Sequence, residues 1–200
     1  LRLDGDDNII RSNRLQDIGY IGISMDKNCL VEKNVVRNAT ALLNDGGGIA
    51  FDHADGMIIQ DNIVLDIIGS LESSAPDFEN YRLISHGIYF GNTAIKNTIV
   101  RRNTVAHCMG SGIHVDHTMV SQDNRIENNV LFNNTVQLSI SDYSNYNGPG
   151  ATAPYHVPAY DDVYSGNVLY CLTKDQLCMQ QLHVYANNWV DYGTFSNNHY

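Results

Sequence analysis

A short phrase recurs along this chain and constrains its fold more than any other feature. It consists of an apolar residue, two variable residues and an asparagine, and a further apolar residue follows two positions after nearly every asparagine, as in Ile10-Arg11-Ser12-Asn13 with Leu15. The asparagines are Asn13, Asn34, Asn62, Asn103, Asn129, Asn167 and Asn198, separated by 21, 28, 41, 26, 38 and 31 residues. The shortest spacing is the bare unit, and the longer ones add loops to it.

Each unit contains three short runs of alternating polarity, bounded by Gly, Asn and Asp and too short for helices. A unit of this size cannot bury its apolar face alone, so it must stack on copies of itself as a solenoid. We expect the corner asparagine to adopt the left-handed backbone conformation, which it tolerates at low cost. We also expect its side chain to bond to the asparagine of the next unit, which would form a ladder.

Composition limits the classes of function. The net charge of -10, from 12 Lys+Arg and 22 Asp+Glu, argues against nucleic acid as a partner and makes a strongly anionic polymer a less natural substrate. The absence of a long apolar run argues against a membrane span. Cys171 and Cys178 could form a disulfide, although buried free thiols fit the sequence at least as well, and no close cysteine pair indicates a zinc site.

The repeated phrase, combined with Gly-Ile strands such as Gly112-Ile113-His114-Val115, resembles the right-handed parallel β-helix repeat of the pectin-lyase-like superfamily over roughly residues 8–200. The resemblance implies an all-β, single-stranded β-helix of about seven rungs with three parallel sheets. The Gly-Ile strands would form the first sheet, and the asparagine would turn the second sheet into the third. The superfamily includes lyases, glycoside hydrolases, epimerases, esterases and phage tailspikes, so the fold alone does not select an activity.

We interpret residues 1–200 as a single domain, and its first and last residues are compatible with a fragment that lacks its native termini. Two insertions, residues 69–86 and 143–161, are predicted to flank the first sheet as walls of a groove. The second insertion is rich in aromatic residues, which suit the apolar faces of sugar rings. The alternative is that both are solvated excursions, but long loops in compact domains are more often functional.

Strand alignment separates the core from the surface of the first sheet. The first residues of the aligned strands are Ile23, Ile49, Ile88, Ile113, Leu138 and, less surely, Leu182. Alternation directs the first and third residues inward and the second and fourth outward, so Met25, Phe51 and Phe90 are predicted core residues. Residues 46–48 are all glycine, which we interpret as a tight turn with positive φ rather than a phosphate loop, since no Lys-Ser/Thr follows.

The outward positions carry the candidate catalytic residues. Asp-His pairs recur at the same place in two strands, and a further histidine precedes the second pair; the predicted catalytic residues are Asp52, Asp116, His53, His114 and His117. Rungs lie about 4.8 Å apart, so Asp52 and Asp116 would be roughly 9.6 Å apart. That spacing favours an inverting glycosidase, which needs about 6.5–9.5 Å, over a retaining one, which needs about 5–5.5 Å.

Asp26 and Asp52, one rung apart, could form a retaining pair or share a calcium ion. No cofactor is required by this chemistry.

The predicted substrate-binding residues are Tyr89, His86, Asp26, Lys27 and Asn92. The structural alternative is that an Asp at a strand end only satisfies turn amides. Uronate lyases of this superfamily typically use an Arg or Lys base, and Lys27 is the only basic residue on the predicted face. Phe51-Asp52-His53 is similar to the Asp-Pro-His of alginate epimerases but lacks the Pro.

We therefore predict a secreted or cell-surface carbohydrate-active protein that binds a polysaccharide or oligosaccharide over the first sheet. The first hypothesis is a glycoside hydrolase, and the alternative is a polysaccharide lyase or epimerase. A third hypothesis is a non-catalytic glycan-binding or structural β-helix, such as a tailspike, adhesin or filament subunit. In that case its open ends could assemble end to end, or its sides could pack in a homo-oligomer.

Overall fold

The structure is a computed structural model that describes residues 1–72, 84–91, 95–117, 121–142, 159–183 and 193–200. These residues form 23 strands, numbered β1 to β23 in chain order. The described part of the chain includes no helix long and apolar enough to cross a membrane. The strands lie in three large sheets of seven, seven and six strands and one short sheet of three.

The first sheet contains β1 (Arg2–Leu3), β4 (Ile23–Met25), β7 (Gly46–Phe51), β10 (Ser85–Phe90), β14 (Ser111–His117), β18 (Val136–Asp142) and β22 (Leu177–His183). The second contains β2 (Ile9–Arg11), β5 (Leu30–Glu32), β8 (Ile58–Gln60), β12 (Ile99–Arg101), β16 (Arg125–Glu127), β20 (Val163–Ser165) and β23 (Thr194–Ser196). The third contains β3 (Arg14–Gln16), β6 (Val35–Arg37), β9 (Ile63–Leu65), β13 (Thr104–Ala106), β17 (Val130–Phe132) and β21 (Val168–Tyr170). The short sheet contains β11 (Ile95–Lys96), β15 (Ser121–Gln122) and β19 (Ala159–Tyr160).

Each complete turn of the chain contributes one strand to each large sheet, and neighbouring strands within every sheet are parallel. The short sheet adds a strand between the first and second sheets in three consecutive rungs. This arrangement confirms the predicted parallel β-helix. It also fixes the geometry of the outward side chains, because residues at the same position in successive strands lie directly above one another.

The predicted asparagine ladder is confirmed. The Nδ2 of Asn103 donates to Asn129 Oδ1 at 3.0 Å and to the Ile59 carbonyl at 2.9 Å, and its Oδ1 accepts from Asn62 Nδ2 at 3.0 Å. The ladder runs through every predicted corner from Asn13 to Asn198. Each interior amide donates to a backbone carbonyl and to the next asparagine, and it accepts from the backbone and side-chain N–H groups of the previous one. The corners therefore stay satisfied although most are buried.

The expectation that the asparagine itself is left-handed was wrong. The residue before it has positive φ, as at Lys33 (55°) and Arg102 (53°). That residue makes the bend, and the asparagine can then direct its amide into the helix interior, where it bonds across rungs.

The core follows the predicted inward positions. Met25, Phe51 and Phe90 are buried, and the rings of the two phenylalanines have centroids 4.7 Å apart. The alignment of Leu182 with Leu138 was wrong, because Leu138 pairs with Met179. Met179 packs against the core, so the last first-sheet strand starts three residues earlier than the sequence pattern predicted.

The glycines at positions 46–48 lie within β7 and do not form a turn. The residue with positive φ is Asp45, at 62°. Glycine is needed at position 48 for close packing instead, since a Cβ there would lie 2.4 Å from Val64 Cγ1.

Residues 73–83 and 143–158, which hold most of the two insertions, lie outside the described residues, so the two walls remain predictions. Two arginines, Arg101 in β12 and Arg125 in β16, lie on the second sheet. All four cysteines are free thiols in this structure: Cys29 and Cys108 are buried, and Cys171 and Cys178 are half-buried.

Replacing the central ladder residue, Asn103→Ala, should lower the free energy of unfolding by about 3 kcal/mol, because it leaves buried amide and carbonyl groups without partners. Asn13→Ala, at the exposed end of the ladder, is the matched control and should cost less than about 1 kcal/mol. Urea unfolding followed by circular dichroism measures both changes. Equal losses for the two variants would contradict the view that the buried ladder holds the rungs together.

Candidate functional site

The candidate site lies on the outward face of the first sheet, where β10, β14 and β18 are adjacent. Tyr89, His114 and Ser139 occupy equivalent positions in these three strands. Their side chains point away from the core, as predicted, but His114 is only 6% exposed and Asp116 only 7%. Buried polar groups on the outer face of a solenoid are unusual, since that face normally meets water, and they mark this part of the sheet.

Three rings stack across the face. The centroids of His86 and His114 are 4.3 Å apart with planes 14° from parallel, and Tyr89 lies 5.6 Å from His114. The backbone N–H of Ser111 donates to His86 Nδ1 at 3.0 Å, so a neutral His86 carries its proton on Nε2.

Burial controls the charge of both imidazoles. It lowers the pKa of His114 to about 4. Burial, and secondarily the charge of His114, lowers the pKa of His86 well below its usual value. Both rings are therefore neutral at pH 7, and each can donate or accept a hydrogen bond.

Asp116 holds its proton near neutral pH. Burial raises the pKa of Asp116 to about 7, the hydrogen bond from Tyr89 lowers it, and the charges of Asp45 and Asp52 raise it further. The Tyr89 hydroxyl donates to Asp116 Oδ2 at 3.1 Å. Burial and the charge of Asp116 raise the pKa of Tyr89 above its ordinary value, so its hydroxyl remains a donor. A carboxyl group with a pKa near 7 is suited to general acid–base catalysis.

A glycine links the two aspartates. Gly91 follows Phe90, which pairs with both Phe51 and Val115, so it lies level with Asp52 on one side and Asp116 on the other. A Cβ at Gly91 would lie 1.5 Å from Asp52 Oδ1. The exposed Asp52 carboxylate therefore extends over the glycine, toward the rung that carries Asp116. The sequence signal for this arrangement was a glycine at an outward position between two aspartates.

Two buried polar atoms here have no hydrogen-bond partner among the described residues: His114 Nδ1 and Asp116 Oδ1. Such atoms are rare in native proteins and often mark a place where water or a ligand binds. Beside His114 lies a cavity of about 360 Å³, lined also by His86, Ser139 and Gln180. This volume lies in the range of small-molecule sites. We call it the imidazole cavity.

Two smaller cavities adjoin the face. One of about 140 Å³ lies on the other side of Tyr89, between Asp45 and Asp52. The other, about 230 Å³, lies at the corner after the first sheet and is lined by Lys27, His53, Ala54, Asp55 and Lys96; we call it the basic cavity. Sequence reasoning missed Lys96, because the short-sheet strand that carries it follows a loop with no repeat signal.

The structure thus brings five of the predicted residues together: Asp52, Tyr89, His86, His114 and Asp116. Lys27 and His53 meet at the adjoining corner instead. Asp26 accepts a hydrogen bond from the Gly5 N–H at 2.8 Å, which is the structural role considered for a strand-end Asp. The backbone of His117 pairs with Asp142, while its side chain and the whole of Asn92 lie outside the described part of the chain.

The model of the family described as "Periplasmic copper-binding protein (NosD)" matches residues 3–167. No curated protein sequence matches the chain.

Solved structures also match it. The A-module of the mannuronan C-5 epimerase AlgE4 from Azotobacter vinelandii gives a TM-score of 0.50 at 14% identity, covering 96% of this chain and 52% of that chain. The periplasmic alginate epimerase AlgG gives a TM-score of 0.46 at 13% sequence identity, and the match covers 95% of this chain and 49% of that chain. An alginate lyase from Paenibacillus sp. str. FPU-7 gives a TM-score of 0.38 at 12% sequence identity, and the match covers 100% of this chain and 90% of that chain. The chain spans about half the length of the two epimerase structures. At 14% identity the likeness to the AlgE4 A-module concerns the fold alone.

The stability of the protein should depend on the titration of Asp116. Its folded-state pKa of about 7 lies above the unfolded value of about 3.9, so the folded state is favoured by protonation. That stabilisation is complete below pH 4 and is lost as the pH rises through 7. Asp116→Asn should therefore gain stability relative to the wild type between pH 4 and pH 8, by on the order of 4 kcal/mol. Urea unfolding of both proteins across this range measures the difference, and a constant difference would contradict the assignment.

Proposed function

The chain belongs to the NosD family, and from the site on its first sheet we propose that it is a carbohydrate-active enzyme that acts on a polysaccharide outside the cytoplasm. The reaction that the site supports best is hydrolysis of a glycosidic bond. The observation that carries this proposal is the pair of aspartates on either side of Gly91, one buried and one exposed. The family's description as periplasmic supports the location.

The two aspartates have the complementary properties that glycoside hydrolysis requires. Asp116, with a pKa of about 7, is the general acid that protonates the leaving oxygen. Asp52 is exposed and is the carboxylate that activates water. Separating two carboxyl groups by environment is how one site holds an acid and a base at the same pH. Their two-rung separation favours inversion, since the longer spacing leaves room for a water molecule.

The remaining residues of the face orient the acid and the sugar. Tyr89 holds the Asp116 carboxyl through its hydroxyl. His114 lines the imidazole cavity, where a sugar hydroxyl would bond to its imidazole, and its Nδ1 has no partner among the described residues. Because His86 and His114 are uncharged at pH 7, they bind hydroxyl groups without attracting or repelling a charge.

The described residues do not fit a resident copper ion, although the family's description names copper. Imidazole lone pairs lie in the ring plane, and the planes of His86 and His114 are nearly parallel, so their nitrogens do not converge on one point. No group of three or more His, Cys, Asp or Glu side chains in the described ranges is placed to hold a metal ion. No step proposed here involves a metal.

The basic cavity supports a second candidate function, a lyase or epimerase acting on an acidic polysaccharide. Lys27 and Lys96 line it together, and neither forms an ion pair with any described residue. The Asp55 carboxylate in the same cavity accepts a hydrogen bond from Asn97 at 2.8 Å. Two ammonium groups without a carboxylate partner in the part of the chain that the structure describes would attract a carboxylate substituent, although the chain as a whole has a net charge of -10. In that reaction a neutral histidine would take the proton from the sugar carbon, and the Tyr89 hydroxyl, which stays protonated, would be the proton donor.

An assay of neutral and acidic polysaccharides with the full chain separates these functions. We expect new reducing ends, and we expect Asp116→Asn to lower the rate at least about 100-fold, which is the usual loss when a general acid is removed. Asp17→Asn, an exposed corner carboxylate, is the matched control and should keep full activity. Unsaturated products would replace the hydrolase by a lyase, and altered sugar composition without new ends would indicate an epimerase. Binding without any product would make the protein a non-catalytic glycan binder.

The pH profile tests the role of Tyr89. The rate should fall as the pH rises through about 7, because Asp116 then loses the proton it must donate. Since the hydrogen bond from Tyr89 lowers the pKa of Asp116, Tyr89→Phe should move this fall to higher pH. A shift to lower pH, or no shift, would contradict the role.

Binding measurements with acidic oligosaccharides test the role of Lys27 and Lys96. If the substrate is acidic, Lys27→Gln combined with Lys96→Gln should weaken binding of mannuronate and galacturonate hexasaccharides about tenfold and reduce the salt dependence. Lys174→Gln, an exposed lysine in the turn before β22, should change neither. Equal affinity of the double variant and the wild type would remove the second candidate.

A further inference from the structure

Two of the four cysteines lie side by side at the last complete rung. Cys171 follows β21 directly and Cys178 lies in β22, and their sulfur atoms are 3.5 Å apart. Both are half-buried, in contrast to Cys29 and Cys108, which are buried in the core. The pair lies beyond residue 167, where the family match ends.

The turn between the two cysteines is organised by its own side chains. Gln176 Oε1 accepts from the Leu172 N–H at 2.7 Å and the Thr173 N–H at 3.3 Å. The Nε2 of the same residue donates to Asn133 Oδ1 at 2.6 Å, which ties the turn to the previous rung. The thiols are therefore held near each other before any bond forms, so little further chain entropy is lost on joining them.

The same turn forms part of the imidazole cavity. Asp175 and Leu177 line that cavity together with His86 and His114. A constraint on the turn is therefore a constraint on one wall of the cavity.

We propose that Cys171 and Cys178 are a modification site, an oxidisable thiol pair whose disulfide fastens the wall of the imidazole cavity. The oxidant is a disulfide of the surroundings, such as a small-molecule disulfide. One cysteine thiolate attacks it, forms a mixed disulfide and releases the first small thiol. The other cysteine then attacks the mixed disulfide, closes the intramolecular bond and releases the second. Two protein thiols are oxidised, one small disulfide is reduced, and the two protons pass to the released thiols.

The geometry favours this pair over the other cysteines. The two sulfurs must approach by about 1.5 Å to reach bonding distance, a movement within reach of side-chain rotation. Burial raises the pKa of Cys108 to about 12, which leaves it almost no reactive thiolate. Burial and the neighbouring Cys171 also raise the pKa of Cys178, so the exchange should be faster at alkaline pH.

The full chain, first reduced, is incubated with oxidised glutathione and then freed of it. Thiol titration in denaturant should fall from four groups to two, and peptide mass spectrometry should find Cys171 joined to Cys178. The Tm should rise by roughly 5–10 °C, and amide hydrogen exchange in residues 172–177 should slow. Cys171→Ser and Cys178→Ser, each isosteric and expected to fold, should show neither the link nor the Tm rise.

Four free thiols after incubation, a link to Cys29 or Cys108, or a persistent mixed disulfide would each overturn the site. A Cys171–Cys178 link with unchanged exchange in residues 172–177 would overturn its effect on the cavity wall. None of these outcomes depends on whether the protein hydrolyses a glycan.

Discussion

The fold depends on the repeated stacking of parallel rungs, and the asparagine ladder is the interaction that makes the stacking possible at the corners. A sharp bend exposes backbone groups that the sheets cannot pair, and burying them unpaired would cost about 1–3 kcal/mol each. The amide of Asn103 satisfies the backbone of one rung and the amide of the next at once. Since each rung repeats this solution, the aliphatic core can continue from end to end without interruption.

The candidate site lies at the outward positions of the strands, which neither the core nor the asparagine ladder occupies. The inward residues must fill the core and the corner residues must bond, so outward residues such as Tyr89 and Asp116 are the ones that can vary for chemistry. Here Asp116 is buried and Tyr89 is half-buried, and burial changes the proton affinity of His86, His114 and Asp116 together. A more exposed face with the same residues would have three ordinary titrating groups and no poised acid.

The sequence predicted the fold well because the repeat is a periodic signal that many residues share. The asparagine corners followed from the spacing of the repeat. The inward Phe51 and Phe90 and the juxtaposition of Tyr89 and His114 followed from that spacing together with the resemblance to the parallel β-helix repeat. The prediction failed where the period was interrupted. Leu182 was aligned because it looks like a strand start, whereas the packing of Met179 decides the register. Burial of the outward face and the contribution of Lys96 depend on contacts between distant segments, which no local pattern encodes.

Gly91 contributes to the site because it has no side chain. The approach of the Asp52 carboxylate toward the neighbouring rung depends on a side chain that is missing, so this position acts through the volume it leaves empty. Distances between outward residues on this face are multiples of one rung spacing. Where a rung has glycine at the outward position, the side chain of a neighbouring rung can extend across it. In a solenoid, therefore, the distance between two reacting groups can be adjusted by a single deletion of side-chain atoms, without moving the backbone.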